Sequence, residues 1–172
     1  MARKQSLSHL TPSGHVRMVD VGEKIPSERI ARAQAVVQLG PTITRTLKRT
    51  GALAKGNVIE TARIAGIMAA KLTPNLIPMC HPLPVDSVSI DVSWRGNSLR
   101  IESAVRCTAR TGVEMEALVA ASVAALTVYD MCKSADKGIS IQDICLLEKS
   151  GGKSGHWQKK DRGSRVKGTE RQ

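Results

Sequence analysis

Residues Ala117 to Tyr129 form a run of thirteen uncharged residues, bounded in front by Glu114 and Glu116 and behind by Asp130 and Lys133. Alanine and leucine dominate it, and both are strong helix formers, so the run predicts a buried helix with polar groups at its two ends. Ala117, Ala120, Ala121, Ala124 and Ala125 leave so little side chain that a neighbouring element can approach the helix backbone closely. A bilayer span needs about 20 apolar residues, more than are present, which places the run in the core of a folded domain. At about 1.5 Å per residue, roughly 20 Å separate the charged ends. Asp130 and Lys133, at i and i+3, share one face, and a carboxylate there opposes the negative end of the helix dipole. On frequency alone a surface ion pair is the first explanation of such a couple. Other segments have to decide.

A chain of 172 residues suits one domain with a real core. Its aromatics are Trp94, Tyr129 and Trp157 with no phenylalanine, so that core is aliphatic. Cys80, Cys107, Cys132 and Cys145 are dispersed without a Cys-x-x-Cys pair, which argues against a zinc ribbon, an iron–sulfur cluster or a redox dithiol and predicts free thiols. The first residues, Met1 to Ser6, lack the apolar run of a signal peptide, and a cytoplasmic location is expected, with no membrane segment. Of the formal charge of +11, +6 falls from Lys149 onward. That asymmetry fits either a tail that binds nucleic acid or a solvated, disordered tail behind a domain that binds an anion.

Val16 to Val21 alternates and reads as a short strand. Pro26 and Ser27 open a predicted helix from Glu28 to about Leu39, with Ser27 as N-cap. Gly40-Pro41 breaks it, and Thr42 to Arg49 resumes as a second helix. Gly51 to Gly56 is a loop carrying Lys55, and Val58 to Leu72 is helical again. Pro74, Pro78 and Pro82 forbid a regular helix after that. Strict alternation from Val88 to Trp94, the turn Arg95-Gly96-Asn97-Ser98 and renewed alternation from Leu99 predict a β-hairpin over residues 86–107. The alanine-rich helix follows, and Ile139, Ile141, Ile144 and Leu146 supply a last strand. This order, β, helices, β, β, α, β, is that of the ferredoxin-like split βαβ: an α+β fold with an antiparallel sheet and helices packed on one face.

Four segments carry candidate chemistry. Pro78-Met79-Cys80-His81-Pro82 brackets a cysteine and a histidine between prolines, and preorganisation of this kind suits a binding or acid–base site, although a hydrogen-bonded structural histidine fits the composition equally. Lys149-Ser150-Gly151-Gly152-Lys153-Ser154-Gly155 resembles a P-loop only superficially: Leu147 stands where the pattern needs glycine, and no helix follows. It reads either as a flexible cationic loop able to hold phosphates or as a glycine-rich exit into the tail. Lys55 is either a solvated loop lysine or, if buried beside a carboxylate, a proton-transfer group. Arg63, within the small-residue stretch Thr61 to Gly66, needs an anionic partner from the protein or from a ligand.

Taken with Met18-Val19-Asp20-Val21, Lys55-Gly56, Thr61 to Gly66, Leu76 to Leu83, Thr111 to Leu118 and Tyr129 to Lys133, the glycine-rich segment completes a set that resembles the cyclic pyranopterin monophosphate synthase family of molybdenum cofactor biosynthesis. The resemblance covers roughly residues 14 to 155; Met79, Asn57 and Glu60 depart from the commoner Leu, Asp and Ala. It implies a single catalytic domain at 14–155, flanked by a flexible segment at 1–13 and a basic tail at 156–172. It further implies a hexamer built from dimers, with active sites at subunit interfaces. The implied reaction rearranges a cyclic dihydroguanosine triphosphate, made by a radical enzyme, into cyclic pyranopterin monophosphate with loss of pyrophosphate. By the same resemblance Asp130 and Lys133 are the acid–base pair and Lys55 a second proton-transfer lysine. Met79, Cys80, His81, Met115 and Glu116 line the ring, Glu114 orients a lysine, and Lys149 and Lys153 hold the phosphates. No metal ligand set and no resident cofactor are implied, although a triphosphate is compatible with Mg²⁺. The competing reading, a basic nucleic-acid-binding module, predicts stacking aromatics and a continuous basic face; the hairpin offers Trp94 and mixes Asp91 and Glu102 with Arg100 and Arg106.

Overall fold

The computed structural model describes residues 13–160. Its elements in chain order are β1 (Ser27–Gln38), α1 (Pro41–Thr50), β2 (Ala52–Leu53), β3 (Gly56–Asn57), α2 (Val58–Lys71), α3 (Thr73–Leu76), β4 (Val85–Arg95), β5 (Ser98–Ala109), α4 (Glu114–Cys132), β6 (Ser140–Ser150) and β7 (Trp157–Gln158). The main sheet runs β4-β5-β1-β6-β7 with every pairing antiparallel. Helices α2 and α4 pack against each other, α4 lying over β1, β5 and β6 and α2 over β4. This is the ferredoxin-like α+β arrangement that the element order predicts.

The first strand is not where the alternation near the N-terminus suggests. Residues 17–21 have no regular structure, and Val16 makes an isolated bridge only. The central strand is instead β1, in the segment expected to be helical. Its Ala31, Ala33, Ala35 and Val37 are fully buried, while Arg32, Gln34 and Gln38 point to the other face. Alanine's helix propensity is overridden here because a strand covered by α4 has room for little more than a methyl group. Alanines 117, 120, 121, 124 and 125 of α4 are themselves fully buried. By length and composition α4 passes as a membrane span. Its packing makes it the central core helix of this domain.

The α2–α4 approach is equally tight. A Cβ on Gly66 would lie 3.0 Å from the Ala120 carbonyl oxygen and 3.0 Å from Ile90 Cδ1. Arg63 finds its partners within the protein: Nη1 meets Glu60 Oε1 at 2.6 Å and Nε donates to the Ile90 carbonyl at 3.2 Å. The glycine-rich segment also departs from expectation. Lys149 belongs to β6, and the chain then turns back so that Trp157 and Gln158 pair with Lys149 and Glu148. The start of the predicted tail therefore extends the sheet; residues 161–172, like 1–12, lie outside the described residues.

Candidate active site

The N-terminal end of α4 forms one wall of a cleft. Its first turn presents Glu114, Met115 and Glu116, and the loop after α3 brings Met79, Cys80 and His81 against them, with the Cys80 N–H donating to the Ile77 carbonyl at 3.0 Å. Val19, Val21 and Lys24 close the far wall of a cavity of about 340 Å³, the scale of a ring compound. Glu116 is only 2% exposed, and burial holds its carboxyl above the ordinary carboxylate range, with the Glu114 charge acting in the same direction. Burial and then the Glu116 charge push the Cys80 thiol up, so Cys80 lines the cavity as a thiol and not as a thiolate nucleophile.

Lys24, Thr111, Gly112 and Glu114 also wall a second cavity of about 490 Å³, so the two are neighbours sharing these four residues. This second half is cationic: Lys24, Arg29, Arg110, Lys149 and Lys153 surround it, with Glu114 as its carboxylate. Lys149 reaches in from β6 and donates to the Ser154 hydroxyl. Sequence reasoning missed Lys24, Arg29 and Arg110. Arg110 adjoins the Thr111–Leu118 motif, and that adjacency was its available signal. Arg29 was hidden by the assignment of its segment to a helix.

The C-terminal end of α4 carries the other predicted group. Lys133 Nζ lies 2.6 Å from Asp130 Oδ1. Lys55, at the tip of the small β2–β3 hairpin, donates to the Asp130 carbonyl at 2.9 Å and sits 3.5 Å from Oδ2. The hydrogen bond and charge of Lys133, with the charge of Lys55, hold the Asp130 carboxyl below its ordinary range. Asp130 in turn raises the Lys133 ammonium. The side chains of Lys55, Asp130 and Lys133 are 44%, 59% and 49% exposed. The geometry thus brings the three predicted proton-transfer residues together, but as a wet ion-pair cluster. Along α4 they stand roughly 24 Å from Glu114, at about 1.5 Å per residue. Within one chain they do not face the cleft.

A split βαβ sheet with a ring-sized cavity beside a second one walled by five cations is an arrangement suited to a small anionic ring compound. The chain belongs to the MoaC family, which residues 18–152 match. It is 53% identical over 157 residues to the cyclic pyranopterin monophosphate synthase of Thermomicrobium roseum, covering 90% of this chain and 94% of the relative. It is 54% identical to that of Herpetosiphon aurantiacus, covering 88% and 93%, and 52% identical to that of Bordetella avium, covering 89% and 95%.

Proposed function

We infer that this chain is a cyclic pyranopterin monophosphate synthase, a lyase of molybdenum cofactor biosynthesis that rearranges the cyclic dihydroguanosine triphosphate and releases pyrophosphate. The observation that carries the reading is the shared wall at Lys24, Thr111, Gly112 and Glu114, which sets a ring-sized cavity beside a cationic one. The purine-derived ring sits against Met79, Cys80, His81, Met115 and Glu116, and the triphosphate lies across Lys149, Lys153 and their neighbouring cations. Closing a cyclic monophosphate requires an oxygen to bond to the α-phosphorus while the bond to the departing pyrophosphate breaks. Cations already fixed around the β- and γ-phosphates stabilise that developing charge without reorganising. Glu116, buried and held towards its protonated form, exchanges a hydrogen bond with the ring edge.

Proton transfer at the reacting carbons falls to Asp130, Lys133 and Lys55. Because these stand at the far end of α4, the working site is composite, with the cleft of one subunit completed by the Asp130 end of another. Ile64, Met68, Leu72 and Leu76, each about half exposed along the outer side of α2 and α3, supply apolar surface for such assembly into the dimer-built hexamer. A triphosphate is itself a Mg²⁺ ligand, and on this reading any Mg²⁺ enters with the substrate. The same reading has a radical enzyme supply the substrate and the reaction run in the cytoplasm. Against the nucleic-acid reading, Arg32 and Arg100 are neutralised by Glu102 and Glu148, and Lys48 lies 5.3 Å over the Trp94 ring. Incubating the protein with the cyclic dihydroguanosine triphosphate tests the function: pyrophosphate and the cyclic pterin should appear together, and absence of pyrophosphate release would refute the assignment.

A further inference from the structure

The turn that leads from β5 into α4 contains a glycine that its backbone does not require. Gly112 lacks the positive φ of Gly51, Gly56 or Gly151, so residues with a side chain can adopt its conformation. What a side chain would meet there is the end of another one. A Cβ on Gly112 would lie 2.6 Å from Glu114 Cδ and 2.7 Å from Oε1, with Oε2 closer still. The Glu114 carboxylate is therefore folded back from the first turn of α4 onto bare glycine. Among the described residues Glu114 forms no ion pair that would hold it elsewhere. Both residues border the ring-sized cavity and the cationic one, so this seat puts a negative charge on the wall between them. From there the charge reaches Glu116, whose carboxyl it helps burial to hold above the ordinary range.

We propose that Gly112 is a positioning residue of the cleft that acts through Glu114: its missing side chain gives the Glu114 carboxylate a fixed place on the wall shared by the two cavities. A glutamate side chain is rich in rotamers, and a seat of matching shape lets one of them persist at a half-buried wall. Fixed there, the charge opposes ionisation of Glu116, which keeps the proton that Glu116 offers to the ring edge. Other groups share that surrounding. Cys80, from the loop after α3, and Cys107, from β5, are raised by burial and then by the Glu116 charge, Cys107 to about 11, so both stay neutral while a carboxyl titrates. Lys24 and His81 line the same cavity and are common to every variant compared below. The consequence for turnover rests on the synthase reading above, whereas the seat itself is read from a titration.

NMR of the full chain, labelled at its glutamate carboxyl carbons, follows Glu116 directly, its signal being the one lost in Glu116→Gln. In the wild type Glu116 should titrate above the ordinary glutamate range. Gly112→Ala and Glu114→Ala should each move its midpoint down towards that range. The double variant Gly112→Ala/Glu114→Ala should move it no further than Glu114→Ala does, because both changes remove one charge from one place. In turnover, Gly112→Ala should lower kcat about a hundredfold without raising KM, as a misplaced group does, and the double variant should be no slower than Glu114→Ala. If Gly112→Ala yields no folded protein, recovery of folded protein in the double variant supports the seat, since the clashing carboxylate has gone, and failure to recover overturns it. An unmoved Glu116 midpoint in Gly112→Ala, additive shifts in the double variant, or a rise in KM with unchanged kcat would each overturn the proposal. Coupled shifts of Glu116 with no pyrophosphate release by the wild type would refute the synthase assignment and leave the seat intact.

Discussion

The two ends of α4 carry functional groups of opposite physical character. At the N-terminal end Glu116 is buried, its carboxyl is shifted up by desolvation, and the cleft walls come from three separate segments of one chain. At the C-terminal end Asp130 and Lys133 are exposed, and each holds the other in its charged form. On the function proposed above, the recognition half is thus prebuilt within the subunit, while the acid–base half is unfinished. A lysine whose ammonium is stabilised in water is a poor proton shuttle near neutral pH; desolvation disfavours the charged form and moves it towards usefulness. In the composite site proposed above, substrate and a neighbouring subunit would supply the burial that the single chain does not.

Breaking the exposed end should have the largest effect. Lys133→Ala is expected to lower turnover by ~10² to 10⁴, typical of a lost general acid–base group, with an unchanged melting temperature. The pH signs agree: the pairing energy of Asp130 is present above its ordinary range and lost as pH falls through its depressed value. That of Lys133 is present below its ordinary range and lost as pH rises through its raised value. Across neutral pH the pair stays charged, so the melting temperatures of variant and wild type should run parallel there. Near-normal turnover would reduce the cluster to surface charge.

The separation of the two ends is tested by mixing. Lys133→Ala and Lys149→Ala chains, each inactive alone, should recover about a quarter of wild-type activity when co-assembled at random. Half the dimers are then mixed, and one of the two sites in each is intact. No recovery would mean that each site is assembled within one chain, which the present geometry does not accommodate.

What the residues alone reveal follows the same division. The β4–β5 hairpin and α4 are legible because their patterns have one interpretation each: strict alternation for the first, an alanine and leucine run for the second. β1 is not, because Ala31, Ala33 and Ala35 serve a strand only when α4 lies on top of them, a tertiary fact. The local motifs mark Cys80, His81, Glu114 and Lys149 as cleft residues. Arg29 and Lys24 reach the cleft through strand register and a non-repetitive entry segment, and neither leaves a pattern in neighbouring positions. The exposure of Asp130 is hidden for the same reason, since spacing along a helix says nothing about what covers its end.

The contact between the two helices offers a smaller and sharper test. In open space Gly66→Ala would stabilise α2 by about 1 kcal/mol through helix propensity. Here the added methyl meets the Ala120 carbonyl at 3.0 Å, and backbone oxygen in a packed helix pair cannot swing aside. Overpacking costs about 1–3 kcal/mol, so the net change should be destabilising, a fall of a few degrees in melting temperature. A rise would show that α2 and α4 can separate freely, and would remove the reason for the glycine.

The smallest effect concerns the buried end. Glu116 has its carboxyl raised by burial, so the folded state holds that proton more tightly than the unfolded chain does. Stability from this group is complete below the ordinary glutamate range and is lost as pH rises through the folded value. Glu116→Gln removes the ionisation and keeps the shape. The melting temperature of the variant relative to wild type should therefore climb between pH 4 and pH 8, while titrations common to both proteins cancel. Cys80 supplies a second reading, since its thiol is raised partly by the Glu116 charge: alkylation of Cys80 at pH 8 should be faster in the variant. A melting difference independent of pH, with unchanged alkylation, would mean that assembly or solvent already neutralises Glu116. The two ends of α4 would then differ in position but not in electrostatic character.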